Sequence, residues 1–284
     1  MSASASTQNP KSWTAIDLKI IDSHTHVLTT TGEKTYTPEM LVEEMKEAGV
    51  DYALIFPYEA ETITGVVPTE KIIEIASKHK NLVAIGTASP FTLTEKRLED
   101  IKTWLQDGSI RGVKFYLGYE HFYPDDERLN GLYEVLGRAG RPAVFHTGFF
   151  WDPDGRGNLE FAKPGRIGAV AKKFPELKII IAHMSNPWID ECAKVVKENR
   201  NVYADVSGYF TGFKPIESKE VKEFFFDVDK FSRIAGSAQK LIYGSDWPFY
   251  SLKEYVRVAE SLPFSEEEKE LFFWKNAANL FGIN

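Results

Sequence analysis

Four of the six histidines in this 284-residue chain lie at the ends of short apolar runs. His24 and His26 are separated by one residue, and alternate residues of a β-strand point to the same face. His146 and His183 each close a run of apolar residues further along. Two imidazoles side by side on a strand end form a chelating pair, and the alternative is a hydrogen-bonded pair in a surface loop.

Asp246 adds a carboxylate in the segment Tyr243-Gly-Ser-Asp-Trp-Pro248. In a closed barrel the last strand lies beside the first, which places Asp246 near His24 and His26. Imidazole nitrogens with one carboxylate suit Zn, Mn, Fe or Co. We therefore predict one divalent metal, with zinc as the first candidate, on His24, His26, His146 and Asp246. Such a metal lowers the pKa of bound water from about 15.7 to around 7.

Asp246 and His183 are the predicted catalytic residues. The Asp246 carboxylate can orient the water and take its proton, so that a ligand and a base are one group. The alternative for Asp246 is a turn aspartate beside a helix start. His183 can polarise a substrate carbonyl or protonate a leaving group.

Four further side chains are predicted to bind substrate: Lys114, Tyr116, Trp151 and Arg156. Lys114 lies inside an apolar strand, so its charged amine needs a polar or charged partner. It can bind a substrate carboxylate, become carboxylated and hold a second metal, or form a salt bridge under the barrel mouth. Tyr116 lies at the end of the same strand. The aromatic loop that contains Trp151 and Arg156 predicts a lid over the site, in which Arg156 contacts an anionic group of the substrate. The alternative for that loop is an ordered surface loop.

Short apolar runs that alternate with amphipathic segments indicate how these residues are positioned. The predicted strands are 18–23, 52–56, 82–86, 112–116, 143–146, 178–183, 202–206 and 240–244, and the predicted helices are 40–48, 69–79, 94–106, 126–139, 165–174, 188–199, 218–235, 252–261 and 265–281. Strands that are apolar on both faces fit a parallel sheet covered by helices. Eight such units predict a single (β/α)8 TIM barrel, whose active site gathers at the C-terminal ends of the strands. A doubly wound open sheet is the alternative, but a glycine-rich phosphate turn is missing.

Three local features complete this interpretation. Glu59, after the second predicted strand, is interpreted as a solvent-exposed loop carboxylate, and His121 as a loop residue at the rim of the site. Ser265-Glu-Glu-Glu268 has the pattern of a capping box at the start of the last predicted helix.

Composition limits the expected location and partners of the protein. Residues 1–12 are small and polar, which predicts a disordered N-terminal tail before a barrel domain over 13–284. The net charge of −7 argues against nucleic acid as a partner, and the sequence has no apolar run long enough for a membrane span. Cys192 is the single cysteine, so a reducing, cytoplasmic location is expected. The expected partner is a small-molecule substrate.

Taken together, these motifs resemble the amidohydrolase superfamily, and more closely its amidohydrolase-2 branch, which includes aminocarboxymuconate-semialdehyde-decarboxylase-like proteins. The pieces that carry the resemblance are Ile21-Asp-Ser-His-Thr-His26, Gly112-Val-Lys114, His146-Thr-Gly148, Ala182-His183, Gly244-Ser-Asp-Trp-Pro248 and Asn276-Ala-Ala-Asn-Leu-Phe-Gly282. They extend over nearly the whole chain. Their joint order is specific for the superfamily but says little about the substrate.

The resemblance implies a single catalytic metal on His24, His26, His146 and Asp246, with His183 acting in catalysis beside it. A second metal is implied if Lys114 is carboxylated, as the strand-four lysine is in binuclear relatives. Relatives are often dimers, which suggests a homodimer. Members of the branch hydrolyse amides, lactones and other carboxyl derivatives, and some decarboxylate without oxidation. We expect a metal-dependent hydrolase acting on a carbonyl-type carbon, with a decarboxylase using the same site as the alternative.

Overall fold

The computed structural model describes residues 18–31, 33–59, 66–150, 152, 155–210 and 215–284. The predicted tail, 1–12, lies outside these residues, and so does Trp151. The tail and the role of Trp151 therefore stay predictions. No helix in the described part of the chain combines the length and the apolar character that crossing a membrane requires.

Parallel strands follow one another around a closed barrel. They are β1 (Ile21–His26), β2 (Tyr52–Phe56), β3 (Leu82–Ala84 continued by Gly86–Thr87), β4 (Val113–Phe115), β5 (Pro142–Phe145), β6 (Lys178–Ile181), β7 (Val202–Asp205) and β8 (Leu241–Ile242). The first half of β3 pairs with β2 and the second half with β4. Backbone bonds from Ser23 N to Tyr243 O (3.1 Å) and from Asp246 N to His24 O (2.8 Å) join the two ends. The predicted (β/α)8 barrel is thus confirmed.

Buried apolar residues form two layers, one on each side of the barrel wall. Val144 and Ile180 belong to a cluster inside the barrel, which is closed at one end by Leu280 and Phe281 of the C-terminal helix. Their neighbours Ala143 and Phe145 belong to the larger cluster under the outer helices, as do the neighbours of Ile180 on β6. Because side chains alternate along a strand, this pattern tells which residues of each strand face the interior.

The helices begin and end close to the predicted positions. They are α1 (Pro38–Ala48), α2 (Thr69–Lys78), α3 (Glu95–Asp107), α4 (Asn130–Ala139), α5 (Ile167–Lys173), α6 (Ile189–Glu198), α7 (Lys219–Ala235), α8 (Leu252–Glu260), α9 (Glu266–Glu270) and α10 (Asn276–Phe281). Thr37 caps α1 through Met40 N, and Gly49 ends it in the left-handed region with φ 72°. Ser265 and Glu268 form the predicted capping box of α9. A π-helical turn, Leu271–Lys275, divides the last predicted helix into α9 and α10.

Two features differ from the sequence interpretation. A short antiparallel hairpin, Thr29–Thr31 with Lys34–Tyr36, follows β1 and had no counterpart among the predicted elements. Glu59 was interpreted as a solvent-exposed loop carboxylate, but its side chain is only 26% exposed and pairs with Arg97 at 2.9 Å. Its Oε1 also accepts from Thr69 N at 2.6 Å. Glu59 therefore caps α2, whose preceding residue, Pro68, has no side-chain cap.

Candidate metal centre

The structure brings His24, His26 and Asp246 together at the C-terminal ends of β1 and β8. Asp246 Oδ1 lies 3.2 Å from His26 Nε2 and 3.6 Å from His24 Nε2. The side chains of His24 and His26 are 1% and 4% exposed, and that of Asp246 is 16% exposed. One candidate ligand atom from each residue lies within 4.8 Å of the other two. Residues more than two hundred positions apart in the chain thus meet, as the barrel topology predicted.

This group of atoms fits a divalent cation. Bonds of 2.0–2.1 Å in a tetrahedral site place adjacent ligand atoms roughly 3.3–3.4 Å apart, and the two distances above fall on either side of that value. Two imidazoles and one carboxylate are also the donor set that zinc and manganese accept.

His146 approaches this group from the end of β5 without joining its tight spacing. His146 Nδ1 lies 3.2 Å from His183 Nε2. His146 Nε2 is buried and, within the described ranges, has no hydrogen-bond partner. Three of the four predicted ligands are therefore brought together at ligand spacing, and the assignment of His146 as the fourth ligand stays a prediction.

Burial sets the protonation of these groups. It lowers the pKa of His24 to about 3, with Lys114 acting in the same direction. Burial also lowers the pKa of His26 and holds that of His146 well below its ordinary value. Burial alone would raise the pKa of Asp246, but the hydrogen bond with His26 and the nearby imidazoles of His24, His183 and His26 together outweigh it, and the net shift is downward. At neutral pH the site therefore offers neutral imidazoles and an ionised carboxylate, the forms that bind a metal.

Lys114 of β4 points into the same space. Its side chain is fully buried, and Nζ lies 3.1 Å from His24 Nε2. Burial lowers the pKa of Lys114 to about 8, partly offset by Asp205 and Asp246. A charged amine that close to a candidate ligand nitrogen is consistent with binding an anionic substrate group and with carboxylation. Both roles stay predictions.

Aromatic rings line one side of the centre. We call this set the aromatic wall: Tyr58, Tyr116, Tyr119, Phe150 and Phe249. Tyr58 stacks on the His26 ring with centroids 4.3 Å apart, and Phe249 lies 6.3 Å from it. Tyr119 and Phe150 lie 5.0 and 5.9 Å from the His146 ring. Tyr116, predicted from sequence to line the mouth, lies 6.0 Å from Tyr58.

Phe150 reaches the wall because two glycines make room for it. A Cβ on Gly118 would lie 2.6 Å from the Phe150 ring, and one on Gly157 would lie 2.2 Å from it.

Arg156 lies beside Gly157 on the same exposed loop, where its carbonyl oxygen accepts a hydrogen bond from His121 at 2.9 Å. His121 thus lies at the rim, as interpreted from sequence. The role of Arg156 in substrate binding stays a prediction.

Asp205, at the end of β7, is a residue of the centre that sequence reasoning missed. Its Oδ2 lies 3.0 Å from His24 Nδ1, and its side chain is 1% exposed. The signal was available, because β7 reads Val202-Tyr-Ala-Asp205 and its outward residues, Val202 and Ala204, leave Asp205 on the interior face. A carboxylate in that position of a buried strand requires partners.

Gly208 brings the backbone after β7 against the centre. Its φ is +75°, and an added Cβ would lie 2.7 Å from His183 Nδ1 and 3.3 Å from Asp246 Oδ2. Only glycine combines this left-handed conformation with such a close approach. The position therefore limits where His183 and Asp246 can sit.

We predict that Gly208→Ala lowers kcat by about 10- to 100-fold, because the new methyl group displaces His183. Gly236→Ala is the matched control, since Gly236 has φ +92° and no atom within 4 Å of an added Cβ. Both variants should lose about 1–2 kcal/mol in urea unfolding from the left-handed backbone alone. Equal kcat values for the two variants would contradict this role of Gly208.

The family follows from a comparison with known proteins. A family model described as an amidohydrolase, Amidohydro_2, matches residues 21–283. The chain belongs to this amidohydrolase family, as its motifs indicated. The match extends from the first strand to the C-terminal helix and includes every residue of the centre.

Three relatives illustrate the range of the similarity. Gamma-resorcylate decarboxylase from Polaromonas sp. is 25% identical over 126 residues, which is 39% of this chain and only 36% of that enzyme. An amidohydrolase from Burkholderia multivorans with bound zinc superposes with a TM-score of 0.71 at 16% identity, over 94% of this chain and 100% of that one. A probable 2-pyrone-4,6-dicarboxylic acid hydrolase from Acinetobacter baumannii, with citric acid bound, gives 0.69 at 15% identity over 94% and 100%. At these identities the structural likeness establishes the barrel fold.

Proposed function

We propose that this protein is a metal-dependent hydrolase that attacks a carbonyl-type carbon of a small molecule, such as an amide or a lactone. The observation that carries the proposal is the group of His24, His26 and Asp246, whose largely buried side chains place their ligand atoms within 4.8 Å of one another. His146 would be the fourth ligand through its unpartnered Nε2. Zinc is the first candidate, and a relative with the same fold holds zinc.

A cation held there supplies Lewis-acid polarisation and lowers the pKa of water. The residues of the chain supply the rest. Asp246, held ionised beside His26, takes a proton from the attacking water. Lys114 pairs with an anionic group of the substrate. The aromatic wall packs against the apolar part of the substrate and excludes bulk water.

Decarboxylation of an aromatic acid is the second candidate. The aromatic wall beside a buried lysine suits a planar carboxylate, and one relative is named as a decarboxylase. Both candidates use the same ligands, so metal binding alone does not separate them.

The test is an assay of the zinc-loaded and manganese-loaded protein on aromatic lactones, aromatic amides and hydroxybenzoic acids. We follow hydrolysis products and carbon dioxide separately. Hydrolysis without carbon dioxide release is the expected result, and stoichiometric carbon dioxide from a benzoic acid would favour the second candidate. A purified protein that neither contains nor takes up about one equivalent of metal would contradict both.

We also predict that His183→Asn lowers kcat more strongly than it lowers metal content. His183 Nε2 contacts His146 Nδ1, and although its ring lies 4.8 Å from the His24 ring, His183 is not a member of the group of His24, His26 and Asp246, so a metal should still bind there. The comparison variant is His24→Asn, which removes a proposed ligand. Metal content, measured by elemental analysis, that falls equally in the two variants would make His183 a ligand instead.

A further inference from the structure

Asp205 connects three strand ends through one buried carboxylate. Its Oδ2 lies 3.0 Å from Nδ1 of His24, which lies on β1. Its Oδ1 accepts from His183 N at 2.9 Å, from Ser207 N at 3.0 Å and from Ser207 Oγ at 2.5 Å. Four contacts match the hydrogen-bonding capacity of an ionised carboxylate. Three of these donors are on Oδ1, which is therefore fully occupied, and Oδ2 accepts from His24.

The spacing of His24, His183 and Asp205 also resembles that of a metal site, since their candidate ligand atoms lie within 4.8 Å of one another. The Ser207 hydroxyl, however, lies among them. Its Oγ is 3.0 Å from His24 Nδ1, 2.9 Å from His183 Nδ1 and 2.5 Å from Asp205 Oδ1. One donated hydrogen and two lone pairs account for all three contacts. This group is a hydrogen-bonded cluster and not a second cation site.

The acceptors in this cluster fix where the protons lie on the rings. An ionised carboxylate only accepts, so His24 Nδ1 must donate to Asp205 and carry the proton. A carbonyl also only accepts, so His183 Nδ1, 3.1 Å from Ser207 O, carries the proton of its ring. When the His183 ring is neutral, its Nε2 is then an acceptor and takes the hydrogen bond of His146 Nδ1 at 3.2 Å. Neutral His24 and His146 thus both keep a bare Nε2.

We propose that Asp205 is the positioning residue of the centre: it holds His24 with its proton on Nδ1 and anchors the main chain of His183, so that the bare Nε2 atoms face the ligand space. The proposal rests on the proposed metal centre. It extends that centre from the ligands to the group that sets their tautomers. Partners of ligand histidines commonly change metal affinity by about 10- to 100-fold when they are replaced.

Asp205→Asn tests the proposal because the side chain keeps its shape while one acceptor becomes a donor. Three donors face Oδ1, namely His183 N, Ser207 N and Ser207 Oγ, so the amide oxygen must stay on that side. The amide NH2 then faces His24 Nδ1 as a donor and drives the ring proton toward Nε2, against the Lys114 amine, whose Nζ lies 3.1 Å from that nitrogen. We expect a switch of the His24 tautomer in metal-free protein and a zinc affinity about 10- to 100-fold weaker.

Two measurements report these effects separately. Nitrogen-15 NMR of histidine-labelled, metal-free protein reads the tautomer, with the His24 signals assigned by their loss in His24→Gln. Competition with a chromophoric chelator reads the zinc dissociation constant. Wild-type protein alone already tests the first part, since a His24 proton on Nε2 would overturn the proposal without any variant of Asp205.

Asp22→Asn is the matched control. Asp22 is also fully buried, and its Oδ1 accepts from His24 N at 3.1 Å and Ser245 N at 3.0 Å, but it contacts no imidazole ring. We expect this variant to keep the wild-type tautomer and zinc affinity. The proposal fails if Asp205→Asn behaves like wild type, or if Asp22→Asn loses zinc equally. A wild-type protein that binds no zinc would contradict the proposed function alone, because the tautomer is read without metal.

Discussion

Asp246→Asn is expected to lower kcat by roughly 10²- to 10⁴-fold, which is the usual contribution of a general acid or base. Asparagine keeps the size of the side chain but loses the charge that His26 contacts at 3.2 Å, and its amide is too weak a base to take a proton from water. The backbone should tolerate the change, because asparagine accepts the left-handed φ of 67° at this position. Steady-state kinetics on the best substrate of the assay above give kcat, and the urea midpoint reports the fold.

The control for this experiment is Asp125→Asn, which makes the same chemical change on the surface. Asp125 pairs with Arg166 at 3.1 Å and its side chain is 34% exposed, so the variant should keep wild-type kcat. An Asp246→Asn protein with full activity would remove Asp246 from the mechanism. A large loss of unfolding free energy would instead show that the aspartate is needed for the fold.

The elements of the barrel were predictable because their signal is local. The strand Tyr52–Phe56 is an apolar run with the predicted ends, and α1 has its cap, its proline and its terminal glycine within a few residues of sequence. The proposed ligands were predictable as well, since β1, β5 and the segment after β8 each present a polar residue where an apolar run stops. Barrel closure then decides that they meet.

What could not be predicted depends on contacts between distant segments. Strand alternation indicates that Asp205 faces the interior, but its partners were not predictable, because only the register of β7 against β6 places its carboxylate 2.9 Å from His183 N. His183 has φ +60°, a left-handed backbone that its sequence does not reveal. Glu59 was missed for the same reason, because Arg97 and Thr69, its partners, are 38 and 10 residues away.

Removing the metal is expected to abolish turnover and to lower the unfolding free energy, because the proposed ligand atoms support both catalysis and the fold. His146 Nε2 is a buried polar atom without a partner in the described structure, and a bound cation would satisfy its lone pair. A ligand present at 1,000 times its dissociation constant adds about 4 kcal/mol to the unfolding free energy. Chelation should therefore lower both kcat and the unfolding midpoint, and added zinc should restore both.

His26→Ala and His79→Ala show whether that stabilisation comes from this centre. His79 lies at the end of α2, 3.7 Å from Glu39, and belongs to neither group of candidate metal ligands, so its variant should still gain stability when zinc is added. His26→Ala removes a proposed ligand and should gain little. If both variants respond to zinc alike, the metal binds elsewhere. If the zinc-dependent gain in stability is lost only in His26→Ala, then the metal that stabilises the fold binds the same buried nitrogen and carboxylate atoms that support turnover.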